Sequence, residues 1–192
     1  MDKKENQRIM LTKRLLKESL IEMLAKKSIK KISVSELCTA AGINRSTFYN
    51  HYGSQFDVLK EMELDMIEDL NQIFEREIKK SNWTLDKRAA AFCSYLKENE
   101  NFVKLIFSNS DTDYEFASLL IGAAHVQMIY NKTFPDEKDQ IKHDLMTTFL
   151  ANGTYHMVKK WIVEDIPITP DEMGKLIYNM SACDWDITVF LR

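Results

Sequence analysis

The sequence predicts an all-α protein, on three observations. Only five Gly and three Pro occur in 192 residues, and the prolines (Pro135, Pro167 and Pro170) all lie in the last third. So few breakers beside abundant Leu, Met, Lys and Glu favour helices over strands. Apolar residues recur at spacings of three and four, as on a helix with one buried face, and strand-like alternation is absent. Hydrophobic residues make up 45% and charged residues 29%, which suits a folded domain rather than a disordered chain.

The first helix is expected over Thr12–Leu24, with Leu16, Leu20 and Leu24 in one stripe, Leu15 and Met23 beside it and Thr12 as its cap. Ile29 and Ile32, set among the lysines of KKSIKKIS, are expected to plug the core. Ser33-Val34-Ser35-Glu36 is a capping-box pattern opening a short helix through Leu37, Cys38 and Ala41. Gly42 stands where a left-handed turn residue is needed, Asn44 is a cap, and Arg45–Tyr52 forms a second short helix ended by Gly53-Ser54. A long helix follows over about Gln55–Lys79. Further helices are expected at about Leu85–Glu98, Glu100–Ser108, Thr112–Asn131, Asp136–Glu164 and Pro170–Leu191. The boundary between an N-terminal three-helix domain, 1–54, and a helical body, 55–192, is placed at Gly53-Ser54.

Two short helices joined at a glycine, with a third helix before them, have the pattern of a helix-turn-helix. Ala40 and Ala41 would let the pair approach closely, and Leu37, Cys38, Ala41, Ile43 and Phe48 would make its inner face. Arg45, Ser46, Thr47, Tyr49, Asn50 and His51 are then left mostly outward. Such side chains suit base edges and phosphates: Arg matches guanine, Asn adenine, and Thr or Tyr a thymine methyl or a phosphate oxygen. An ordinary αα-hairpin with a polar surface has the same pattern. Charge points the same way without deciding the matter. Residues 1–60 hold 12 Lys+Arg against 6 Asp+Glu, and residues 61–192 hold 14 against 23. A basic head on an acidic body suits contact with a polyanion, and chance variation among solvated faces accounts for it equally well.

Residues Ile32–Leu59, ISVSELCTAAGINRSTFYNHYGSQFDVL, resemble the DNA-binding head of the TetR family of bacterial regulators. The likeness lies in the capped helix ending in a small residue and Gly42, followed by the run Thr47-Phe48-Tyr49-Asn50-His51-Tyr52, and with Thr12–Leu24 it covers about the first 60 residues. It implies that Arg45, Ser46, Thr47, Asn50 and His51 face the major groove or its rim and that Tyr49 reaches a phosphate or a thymine methyl. It also implies that Ser33 and Ser35 offer hydroxyl and backbone N–H groups to a phosphate. Many members carry a phosphate-binding lysine at the start of the fourth helix, where this chain has Gly53-Ser54-Gln55. Gln55 can hydrogen-bond but brings no charge, so Lys3, Lys4, Arg8, Lys13, Lys30 and Lys31 are candidates to supply it.

Beyond residue 60, the stretch from Phe149 to Tyr155 with Lys160-Trp161 and Ile168–Glu172 is similar to the body of a TetR subgroup that includes regulators of dihydroxyacetone kinase operons. In the family the last two long helices form a four-helix dimer interface, which here implies a homodimer with Gly153, Trp161 and Trp185 as interface candidates. A two-fold dimer implies double-stranded DNA with a palindromic operator. Family bodies often enclose a small-molecule inducer. Candidate ligand-binding residues are Met62, Met66, Phe92, Tyr95, Phe102, Tyr114, His125, Met128 and Phe149, with Ile106 and Phe116 beside them. Such a stripe is more often plain core.

The four histidines fall in no metal-binding spacing, no nucleophile elbow or phosphate-binding glycine loop occurs, and Cys38, Cys93 and Cys183 form no CxxC pair. No enzyme activity, metal or cofactor is therefore expected. No signal-like or membrane-spanning apolar run is present, and the expectation is a cytoplasmic protein without membrane contact. The functional reading is a dimeric repressor released by a small molecule. The alternative keeps the same head with a body that docks a partner protein and acts as an activator.

Overall fold

The computed structural model describes residues 3–78, 84–108 and 137–182. Among them every regular element is helical: α1 (Lys3–Leu24), α2 (Val34–Ala41), α3 (Arg45–Tyr49), α4 (Gln55–Ile78), α5 (Leu85–Glu98), α6 (Glu100–Ser108), α7 (Glu137–Val163) and α8 (Pro170–Ala182), with a 3-10 turn at Ile29–Lys31. The expected helix Thr112–Asn131 and the end of Pro170–Leu191 beyond Ala182 lie outside the described residues. The chain divides into two compact units. The first holds residues 3–69 and 101–108; the second holds 70–78, 84–100 and 137–182.

In the first unit α1 packs on α2, and α2 on α3. Leu16, Leu20 and Leu24 form the buried stripe of α1, and Ile29 and Ile32 are buried beside it. α1 begins at Lys3 rather than Thr12. The run KKENQRIML contains strong helix formers and no breaker, so the helix runs on and Thr12 becomes an interior residue. α4 contributes Val58, Leu59, Met62 and Met66 to the buried set, and α6 contributes Phe102, Val103, Ile106 and Phe107.

In the second unit α5 packs along α8. Their approach is set by Gly174: a Cβ there would stand 2.4 Å from the Ala90 nitrogen, 2.5 Å from its Cα and 2.8 Å from the Ala89 carbonyl carbon. Only a residue without a side chain lets the backbones come so near. α7 ends with Asp165 in the left-handed region (φ 50°) and the Ile166 N–H donating to the Trp161 carbonyl at 3.1 Å, a Schellman closure on a non-glycine residue. α8 opens at Pro170, as expected, after Thr169. The Thr169 N–H donates to the Glu172 carboxylate at 2.7 Å, and the Glu172 N–H donates to the Thr169 hydroxyl at 3.2 Å. These bonds hold the Glu172 carboxyl below its ordinary value.

Candidate nucleic-acid interface

The helix-turn-helix is assembled by local bonds. At the start of α2 the Glu36 N–H donates to the Ser33 hydroxyl (3.2 Å), while the Glu36 carboxylate accepts from the Ser33 N–H (2.9 Å) and hydroxyl (2.8 Å). Lys27 Nζ lies 2.7 Å from the same carboxylate. The Lys27 bond first, then the two from Ser33, pull the Glu36 carboxyl down to about 2. Both donors of Ser33 are thus occupied by Glu36, and a negative charge stands at the end of α2 where a phosphate was expected to sit.

Gly42 takes the left-handed conformation (φ 66°) and the Ile43 N–H donates back to the Cys38 carbonyl at 2.9 Å, which closes α2 in a Schellman turn. Asn44 then caps α3: its side-chain oxygen accepts from the Ser46 N–H at 3.0 Å and the Ser46 hydroxyl at 3.1 Å. α3 stops at Tyr49, short of the expected Tyr52. The Asn50 N–H reaches Ser46, but that of His51 reaches only three residues back, to Phe48, so the last turn tightens toward Gly53. Ala41 is half-buried, whereas Ala40 is exposed and serves no close approach.

Phe48 is fully buried beneath α3, its ring 5.5 Å from Tyr49 in edge-on geometry and 5.7 Å from Tyr52. This anchor turns Arg45, Ser46, Tyr49 and Asn50 to the surface, with Tyr49 51% exposed, and leaves Thr47 and His51 half-buried. Gln55 is half-buried at the start of α4. The nearby N–H groups of Gly53 and Ser54 donate to the Asp57 carboxylate at 2.8 and 2.9 Å, so this helix start also carries an acid. Sequence reading noted the missing lysine at Gln55 but missed Asp57; an acid at the third helix position is the signal that marks it.

The basic residues separate into two groups. Arg8, Lys30 and Lys31 are exposed. Lys13 is instead 2.7 Å from Glu61 of α4, and Lys17 is 2.7 Å from Glu61 and 2.5 Å from Asp65. Lys13, one of the phosphate candidates, is therefore tied to α4. The side chains of Lys3 and Lys4 lie outside the described residues.

Of the expected ligand-binding residues, Met62, Met66 and Phe102 are buried in the first unit, and Phe92 and Tyr95 in the second. Tyr114, His125 and Met128 lie outside the described residues. Phe149 is 66% exposed, since its side of α7 faces away from the unit's core. Of the interface candidates, Gly153 is exposed and Trp185 lies outside the described residues. Trp161 lies in the interior. It is 0% exposed within the chain, and its indole N–H donates to the Ile168 carbonyl at 3.0 Å, so it has no surface to give a partner. No helix among the described residues is long and apolar enough to cross a membrane. No group of acidic, His and Cys residues among them is placed to hold a metal ion.

Comparison with known proteins defines the class. Residues 84–182, just over half the chain, match the family described as the C-terminal region of transcriptional regulators. The chain is 21% identical over 171 residues to the HTH-type transcriptional regulator YxbF of Bacillus subtilis (strain 168). That match takes in 87% of this chain but only 44% of the relative's length. Among solved structures, a TetR transcriptional regulator from Streptococcus agalactiae 2603V superposes with a TM-score of 0.69 at 20% identity, covering 92% of this chain and 97% of that one. The dihydroxyacetone kinase operon activator DhaS superposes at 0.63 with 16% identity, covering 93% and 98%. The chain belongs to the TetR family of transcriptional regulators.

Proposed function

We propose that the protein is a dimeric, sequence-specific DNA-binding regulator, with a reading head in 1–54 and a regulatory body in 55–192, acting in the cytoplasm as a repressor that a small molecule releases. The observation that carries this is the exposed row Arg45, Ser46 and Tyr49 on a short helix, with exposed Asn50 at its C-terminal end, anchored by buried Phe48 and aimed by the Gly42 turn. Arg45 and Asn50 offer bidentate pairing to guanine and adenine in a major groove; Thr47 and His51 stand at the rim with Ser35 and Gln55. Glu36 restricts what Ser33 contributes.

Dimerisation is supported by an apolar row. Ile141, Leu145 and Phe149 follow at intervals of four along α7 and are 55%, 67% and 66% exposed, and Leu176 and Met180 are exposed on α8. Apolar surface of this extent is covered in most folded proteins. Gly153 is the next position along the α7 row, and a Cβ there would meet nothing within 4 Å of the chain, which leaves room for a partner helix. Phe149 belongs to this face rather than to a ligand site. A two-fold dimer carries two recognition helices to a palindromic operator. The inducer reading keeps the candidates taken from the sequence, Met62, Met66, Phe92, Tyr95, Phe102, Tyr114, His125 and Met128, of which the first five are buried apolar or aromatic side chains. A bound ligand would favour a head spacing that no longer fits the operator.

Selection of bound duplexes from random DNA is the test. A palindromic consensus is expected, and Arg45→Ala or Asn50→Ala should each cost about 1–3 kcal/mol and relax preference at one position per half-site. Variants that both bind like the wild type would refute the assignment of α3. Light scattering at micromolar concentration should give a dimer, and a monomer would remove the palindrome argument. A reporter behind the selected operator should be repressed by the protein; activation would favour the partner-docking alternative.

A further inference from the structure

An ion-pair ladder that the DNA-reading surface does not use ties α1 of the head to α4. Glu61 holds two lysines at once: Oε2 is 2.7 Å from Lys13 Nζ, and Oε1 is 2.7 Å from Lys17 Nζ. One turn further along α4, Asp65 takes Lys17 as well. Lys13 also lies over the Tyr52 ring, 5.5 Å from its centroid, and Tyr52 in turn packs on Phe48, the anchor beneath α3. The ladder therefore joins α1 to α4 and, through two aromatic rings, to the underside of the recognition helix.

These pairs differ from ordinary surface pairs. The side chains of Lys13, Lys17 and Glu61 retain a third or less of their exposure, so solvent and salt screen them less. Burial alone would raise the Glu61 carboxyl, yet the bonds and charges of the two lysines bring it below its ordinary value. Burial, then the charges of Glu61 and Asp65, push the Tyr52 hydroxyl well above the usual tyrosine range. The carboxylate thus stays ionised and the phenol neutral at any physiological pH.

We propose that Glu61 is a positioning residue that sets the specificity of operator binding, by withdrawing Lys13 and Lys17 from the phosphate backbone and by seating α3 through Tyr52 and Phe48. Both effects act in one direction. Lysines free to meet phosphates strengthen binding to every sequence alike, whereas a well-seated recognition helix strengthens binding to the operator alone. Two of the 12 basic residues in the first 60 are in this way taken out of sequence-independent attraction.

The proposal rests on α3 reading DNA, and its test separates the two. The full-length protein is measured against its selected operator duplex and against a scrambled duplex of the same length, over a range of salt. Glu61→Gln keeps the shape and removes the charge. Scrambled-duplex affinity should rise with a steeper salt dependence, by about 0.9 in the log–log slope for each lysine that reaches a phosphate. Operator affinity should fall, so that the ratio drops about tenfold, as for the loss of one base contact. A residue of merely structural importance would weaken both affinities together. Lys13→Gln provides the second variant: operator affinity should fall while the scrambled-duplex salt slope stays at the wild-type value. A slope reduced by about 0.9 in that variant would mean Lys13 already contacts phosphate and would overturn the proposal. Exchange of the partners, Lys13→Glu with Glu61→Lys, should recover part of the ratio. An unchanged ratio in Glu61→Gln overturns the ladder's role, while a wild-type protein that binds neither duplex overturns the DNA-reading function itself.

Discussion

Adding one methyl group at position 174 places a Cβ inside the backbone of α5. The nearest atoms are 2.4, 2.5 and 2.8 Å away, and all belong to the main chain of Ala89 and Ala90, so no side-chain rotation relieves the overlap. Restoring ordinary van der Waals contact at 3.4 Å or more requires α5 and α8 to part by about 1 Å, a gap that forfeits a quarter to a half of each dispersion contact across it. Overpacking of this kind costs about 1–3 kcal/mol, and a rigid backbone obstacle places Gly174→Ala at the upper end. Alanine returns about 1 kcal/mol of helix propensity relative to glycine. The net loss is then about 2 kcal/mol, or roughly 4–8 °C in Tm for a chain of this length. Thermal and urea unfolding followed by circular dichroism, at fixed protein concentration, measures it. Gly153→Ala is the comparison: its Cβ meets nothing within the chain, so it should stabilise the fold by up to about 1 kcal/mol while weakening the proposed dimer in light scattering. If Gly174→Ala proved as stable as the wild type or more so, the close crossing of α5 and α8 would be refuted.

Two further predictions concern the body and the caps. Trp161→Phe removes the indole N–H that meets the Ile168 carbonyl and leaves a void in a fully buried site, so urea stability should fall by about 2–4 kcal/mol. Loss of dimer mass without loss of stability would instead return Trp161 to the interface. The capping carboxylates make stability acid-sensitive: Glu36 lies at about 2 and Glu172 is also lowered, both against an unfolded value of 4.5. A depressed folded-state value adds stability above the unfolded value and loses it as pH falls through the folded one. Unfolding titrations should show part of the acid loss between pH 4.5 and about 2, and Glu36→Gln should flatten that part. Identical pH slopes for the variant and the wild type would refute the capping account.

How much of the site was legible depended on how far apart the interacting residues stand in the chain. The Ser33–Glu36 box, the Gly42 turn and the Asn44 cap each close within a few residues, and each was readable from residue type and spacing. Phe48 was readable as an anchor because it is an apolar side chain set among the polar Arg45, Ser46, Thr47 and Asn50. α7 was not readable in this way. It is apolar on two sides, with Leu150, Val158 and Trp161 buried and Ile141, Leu145 and Phe149 exposed, so periodicity reveals two stripes without saying which one faces the chain's own core. That ambiguity is why spacing alone does not say which of Phe149 and Trp161 lies inside.

The amino-acid sequence by itself determined the helical class, the helix-turn-helix and its outward row, because caps, turns and amphipathic faces are decided by neighbours within one or two turns. Tertiary structure decided the rest. Lys13 meets Glu61 across 48 residues, and Gly174 meets Ala90 across a helix crossing. Neither partner can be chosen by spacing, since a lysine on a basic head has many acids to choose from and a glycine has no side chain to announce its contact. Only the packing of α1 on α4, and of α5 on α8, selects one partner among them. The same packing makes two lysines of a basic head part of its scaffold.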